Sequence, residues 1–155
     1  MSCTLRPLGS EDLDLICRHR REMFRSMSLD SDLIDEMEQP FRAWLLDELV
    51  SGGYFGFIAC RDSEAVGGIG LMEITFPPHP LHPTTTKRGR ILNLFVEPRL
   101  RGQGVARQLI KAAEDEFLRR DVNYLVLHAS EMSRPIYEQD GWKGTAEMEK
   151  VLKAD

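Results

Sequence analysis

ILNLFVEPRLRGQGVARQLI, residues 91–110, is the stretch from which the rest of the chain is read. Ile91, Leu92, Leu94, Phe95 and Val96 form a short apolar run, as expected of a strand covered on both faces. Glu97-Pro98 ends it, because proline has no N–H to give to a central ladder. Beyond Arg101-Gly102-Gln103-Gly104, the residues Val105, Ala106, Leu109, Ile110, Ala113 and Phe117 recur at three- and four-residue steps, which predicts a helix. The order is strand, glycine turn, helix. Such a turn suits an anion. Gly102 and Gly104 have no side chain to keep a ligand off the backbone, and the helix start offers unpaired N–H groups and the positive end of its dipole. Arg99, Arg101 and Arg107 add positive charge around it.

Two other phosphate-binding turns fit less well. The dinucleotide fingerprint G-x-G-x-x-G needs a third small residue, and Arg107 stands there. The P-loop needs G-K-[ST] at its end, and the chain has none. On these residues alone, a turn that needs two glycines only for its own geometry stays open.

The stretch resembles the acyl-CoA-binding motif of the GNAT superfamily of N-acetyltransferases, R/Q-x-x-G-x-G/A. Arg101, Gly104 and Ala106 stand at the matching positions, and Val96-Glu97-Pro98 matches the lead-in. Downstream, Tyr124 to Ser130 resembles the family's next strand. Ser133 to Trp142 resembles its x-x-x-x-Y-E-x-x-G-[FW] segment. The likeness is dense from Ile91 to Trp142 and looser elsewhere.

The resemblance implies an α/β fold with a mixed, mostly antiparallel central sheet flanked by helices, and a parallel, splayed strand pair at the cofactor site. It implies acetyl-CoA as co-substrate. The pyrophosphate would rest on the backbone of Arg101, Gly102, Gln103, Gly104, Val105 and Ala106. The pantetheine arm would run along Leu94 and Val96 like an added strand, with an N–H of Phe95 or Val96 polarising the thioester oxygen. Ser130 and Arg134 complete the implied cofactor set. Tyr137 matches the family's tyrosine and would protonate the leaving thiolate, as a phenol can at neutral pH. Read locally, Tyr137 is rather a half-buried aromatic packed on the sheet, and it is the resemblance that favours the acid.

At 155 residues the chain is expected to form one domain, residues 1–155, with a sizeable core. Apolar residues make up 42% and charged residues 29%, ordinary for a globular protein. With 20 basic and 25 acidic residues the net charge is −5, which argues against nucleic acid as the main partner. Cys3, Cys17 and Cys60 give neither a metal spacing nor a disulfide framework, which points to a reducing compartment. No apolar run approaches a membrane span, and the N-terminus lacks a signal-peptide core, so the expected address is the cytoplasm, with no membrane partner.

In chain order, residues 3–8 predict a first strand. Ser10 is the expected cap of a helix whose apolar stripe (Leu13, Ile16, Cys17, Met23, Phe24, Met27) is broken only by Arg20. A second helical region covers about 30–50, with Pro40 expected to interrupt it. Tyr54–Cys60 and Ala65–Phe76 predict a hairpin, and Gly67, Gly68 and Gly70 suggest a bulge or close packing. Residues 77–87 read as a loop. His79 and His82 lie in it without a third ligand, so no metal is expected. Tyr124–Ala129 predicts a buried strand, Ser133 a cap for a short helix, and Glu147–Leu152 a last strand.

Acyl transfer to an amine needs an exposed thioester, a deprotonated amine and a protonated leaving group. The implied role of base falls on no obvious residue. Many relatives carry an acid on the central strand, where this chain has Asn93. Asn93 suits positioning the acceptor or a water. Glu73 is a candidate base through water, and Glu97 and His128 are further candidates. The expectation is an N-acetyltransferase that moves an acetyl group directly to a primary amine of a small molecule or peptide. The acidic balance leans toward a cationic acceptor. The alternative is a non-catalytic acyl-CoA-binding module, regulatory or structural. A homodimer is compatible with either.

Overall fold

A computed structural model describes residues 3–155. Five strands, β1 (Thr4–Pro7), β2 (Phe55–Arg61), β3 (Glu64–Thr75), β4 (Lys87–Val96) and β5 (Leu125–Val126), form one sheet in that spatial order. Every neighbouring pair is antiparallel except β4 and β5, which are parallel. This is the mixed, mostly antiparallel sheet expected from the sequence. The parallel pair follows from its connection, because α3 (Val105–Arg119) carries the chain back along the sheet between those strands.

The helices split between the two faces. The stripe of α3 buries Leu109, Ile110, Ala113 and Phe117 against Val66, Leu71, Ile91 and Val96. On the other face α1 (Leu13–Ser26) and α2 (Ser31–Ser51) bring Ile16, Cys17, Phe41 and Leu45 onto Tyr54, Met72 and Leu92. The glycines of β3 serve close packing. A methyl group on Gly70 would overlap the Tyr54 hydroxyl, which is how that phenol lies flat on the sheet. The short helix α4 (Arg134–Gln139) follows β5, with Pro135 in its first turn as expected.

Four expectations need correction. Pro40 does not interrupt α2, which runs unbroken through it. Pro40 and Glu36 are both exposed, so the carbonyl that loses its helical partner faces water. Ser10 is not the cap of α1. Asp12 reaches back instead, its carboxylate accepting the Gly9 N–H at 3.0 Å and pairing with Arg6 at 2.7 Å. The strand expected over Tyr124–Ala129 shrinks to Leu125–Val126 and is half-buried rather than buried. The last strand expected over Glu147–Leu152 is absent, and Met148, Val151 and Leu152 are exposed. The sheet ends at β5, whose two residues offer too short an edge for a further ladder.

Residues 77–86 form the expected loop, closed by a bridge between His79 and His82. The His82 ring lies 3.8 Å from that of Tyr124. Among the described residues no helix is long and apolar enough to cross a membrane.

Candidate active site

The site begins with an extra residue in β4. Gly68 pairs with Phe95 and Gly70 with Leu92, so Ile69 alone faces both Asn93 and Leu94. This is a β-bulge, and Asn93 takes the left-handed conformation it requires, with φ 55°. Asparagine tolerates that conformation better than most residues. The bulge shifts the alternation of the strand by one. Before it, the Gly89 N–H points to the β5 side, bonding Tyr124 O at 2.9 Å. After it, the Glu97 N–H points to β3, bonding Val66 O at 2.9 Å. Successive residues alternate sides, so Leu94 and Val96 present their backbone groups to the edge away from β3.

That edge is open. β5 pairs with β4 only at Gly89 and Arg90, and residues 91–96 of β4 have no parallel partner. The splayed pair thus exposes a short length of unpaired strand that an extended ligand arm can complete. Arg101 bounds it, donating from Nε to the Val96 carbonyl at 3.0 Å.

The phosphate-sized turn lies just beyond. Gly102 and Gly104 have φ 76° and 85°, and a Cβ on either would meet nothing within 4 Å. Glycine is therefore needed for the backbone shape and leaves room beside it. Gly104 caps α3 without a side-chain hydrogen bond, and the first helical bond is Gln108 N–H to Gly104 O at 3.0 Å. The N–H groups of Val105, Ala106 and Arg107 are left without helical partners. Gln103 is held by Arg61 at 3.0 Å and by its own bond to Arg99 O at 3.2 Å. These features fit a pyrophosphate in chemistry and in space.

On the α1 and α2 face, Asn93 anchors a buried polar cluster. Its Nδ2 donates to Tyr54 Oη at 2.9 Å, and Arg20 Nη1 donates to its Oδ1 at 2.6 Å. Burial pushes the Tyr54 phenol up to about 12, against the Asn93 hydrogen bond and the Arg20 charge. His19 stacks on Phe95 with ring centroids 4.7 Å apart. Its Nε2 is buried without a partner. Burial, aided by the Arg18 charge, pushes His19 down to about 4, so the ring is neutral at pH 7. A cavity of about 10 Å³ lies among His19, Tyr54, Asn93 and Gly68, room for one water.

The expected catalytic residues do not all meet here. Tyr137 is buried on the α3 face, edge-on to Trp142 with centroids 5.6 Å apart. Burial pushes its phenol up to about 12. Glu73 shares the α3 face with Leu71, away from Asn93, and is ion-paired to Lys87 at 3.1 Å and Arg120 at 3.6 Å. Glu97 is held by Arg18 at 2.9 Å, and His128 lies 3.2 Å from Arg90. Ser130 is bonded to Ser133 at 2.9 Å and Arg134 to Glu138 at 2.6 Å, both within the corner leading into α4. The link from that corner to the glycine turn runs through Arg107, which donates to Gln139 at 3.4 Å.

Sequence reasoning missed Tyr54, His19 and Arg20 as site residues. The signal for Arg20 was present, as the one charge interrupting an apolar stripe. Tyr54 and His19 carried none, because only the register of the sheet and the packing of α1 on it bring them to the bulge.

A GNAT acetyltransferase domain model matches residues 36–152. A GCN5-related N-acetyltransferase from Ralstonia eutropha JMP134 superposes with a TM-score of 0.95 at 46% identity, covering 97% of this chain and 98% of that one. A predicted acetyltransferase from Clostridium acetobutylicum, solved with acetyl-CoA, gives 0.87 at 21% identity over 96% and 95%. The PaiA N-acetyltransferase of Thermoplasma acidophilum, solved with coenzyme A, gives 0.76 at 20% identity over 96% and 94%. No curated protein matches the chain.

Two outcomes follow from this geometry. Gly104→Val meets no clash, so its cost is the left-handed backbone, about 1–2 kcal/mol. Calorimetric titration should show acetyl-CoA binding weakened roughly 10-fold or more, because a branched side chain shields the N–H groups a phosphate needs. Second, His19 is neutral when folded and charges readily when unfolded. Its folded value lies below the unfolded one, so its stabilising share is whole above about pH 6.5 and is lost as the pH falls toward about 4. Urea titrations should show a loss of roughly 3 kcal/mol over that window, flattened in His19→Leu. Asp12, held below its usual range because Arg6 and the Gly9 N–H outweigh its burial, adds its own loss only at lower pH.

Proposed function

The chain belongs to the GNAT acetyltransferase family, an acetyl-CoA-dependent acyltransferase, and we propose that it moves an acetyl group directly to a primary amine. The observation that carries this reading is the open edge of β4 beside the start of α3, where no side chain bonds the first N–H groups. Leu94 and Val96 would bind the pantetheine arm, and the N–H groups from Gly104 to Arg107 the pyrophosphate. Acetyl-CoA supplies the activated acyl group. The N–H groups on the same edge would favour charge developing on its carbonyl oxygen.

Direct transfer is supported by where the thiols lie. Cys3 immediately precedes β1 and Cys60 is on β2, at the far side of the sheet from β5. Cys17 is buried in the α1 and α2 core, and burial pushes its thiol up, away from the reactive thiolate. None lies on the open edge.

Tyr137 is the proposed general acid. With its phenol held near 12 it keeps its proton throughout the working range and can give it to the departing sulfur. Asn93 is the proposed positioning group on the acceptor side. Its two hydrogen bonds leave one Nδ2 hydrogen and one Oδ1 lone pair to hold an amine or a water. Glu73, Glu97 and His128 are each engaged with a cation, so the amine proton is best assigned to water rather than to a carboxylate of this chain.

The test is thiol release followed with acetyl-CoA and an amine panel. Tyr137→Phe should lower kcat roughly 100-fold or more while leaving the Kd for acetyl-CoA within about twofold. Unchanged kcat would remove Tyr137 from the reaction. A loss of activity near the ordinary phenol value of about pH 10 would contradict its raised pKa.

A further inference from the structure

Arg20 differs from the other arginines of α1. Arg18 holds Glu97, Arg21 holds Glu38 and Arg25 holds Glu22. Arg20 has no carboxylate within ion-pair distance among the described residues. Its neighbours are neutral. Nη1 is on Asn93 Oδ1 at 2.6 Å, and the guanidinium carbon lies 4.8 Å and 4.4 Å from the ring centroids of Phe24 and Phe41. Nε is buried with no partner among the described residues.

An uncompensated charge in such a place is costly. Burial pushes the Arg20 pKa down, yet a guanidinium does not give up its proton in a protein. The two aromatic faces and the solvent at its exposed side offset part of that cost, and an anion from outside the chain would offset more. The two rings and the Asn93 bond restrict the planar head, so it can offer a pair of donors in a preferred orientation. Asn93 ties it to the bulge, on the side where an acceptor would approach the open edge of β4.

We propose that Arg20 recognises an anionic group on the acceptor, so that the substrate is an amine that also carries a carboxylate or a phosphate. This rests on the acyl-transfer reading above. It reverses the leaning drawn from net charge, because a contact of one fixed, half-buried cation outweighs a surface field that salt screens within about 10 Å.

The experiment compares matched acceptors with saturating acetyl-CoA: amino acids against their amides, and O-phosphoethanolamine against ethanolamine. The two pairs separate carboxylate from phosphate. The wild type should prefer the anionic member of one pair by roughly 10-fold or more in kcat/KM. Arg20→Gln should abolish the preference by raising KM far more for that member than for its uncharged counterpart, with the Kd for acetyl-CoA kept. Arg20→Lys should retain part of it. A purely structural Arg20, serving only to brace Asn93, would instead lower kcat for both members alike. That result, equal use of charged and capped amines by the wild type, a preference surviving Arg20→Gln, or no turnover of any anionic amine overturns the inference. Failure of the wild type to bind acetyl-CoA overturns the acyl-transfer reading instead.

Discussion

The extra residue in β4 is the constraint on which the molecule depends. Without it, the odd-numbered residues would continue to face the β5 side through the end of the strand. With it, Leu94 and Val96 face that side and add their side chains to the core under α3, while Phe95 turns to stack on His19. One inserted residue therefore sets both the backbone groups on the open edge, where the cofactor is proposed to bind, and the side chains on the face proposed for the acceptor. The cost is a non-glycine residue, Asn93, at positive φ, and the site holds it with two hydrogen-bonding partners, Arg20 and Tyr54.

The two faces of the sheet divide the chemistry. The α3 face holds Tyr137, dry and protonated. The α1 and α2 face holds Asn93 and the neutral His19 beside a guanidinium. Several carboxylates around the sheet are matched to cations, as in Arg18–Glu97, Arg42–Asp14 and Lys87–Glu73. Arg20 has no such carboxylate partner among the described residues, and that asymmetry is the basis for proposing an anionic group on the acceptor.

Much of this was legible in the chain. The strand, turn and helix of residues 91–110 were readable because their signals are local: a proline stop, two glycines and a helical stripe. The glycines of β3 announced close packing, met by Tyr54 at Gly70. What could not be read depended on long-range register. No local pattern distinguishes Asn93 as a bulge from Asn93 in a plain strand. The pairing of Glu73 with Lys87 and Arg120 depends on how β4 and α3 come together. The alternation in Glu147–Leu152 looked like a strand, but a strand forms only where a neighbouring edge exists, and β5 is too short to give one.

Amide hydrogen exchange with and without acetyl-CoA tests the central claim most directly, namely that the bulge presents Leu94 and Val96 as a binding edge. Acetyl-CoA should slow exchange at Leu94 and Val96 and at Val105 and Ala106, and leave Phe95, which already faces β3, as it was. Protection confined to Phe95, or none at the β4 edge from a ligand shown to bind, would contradict it.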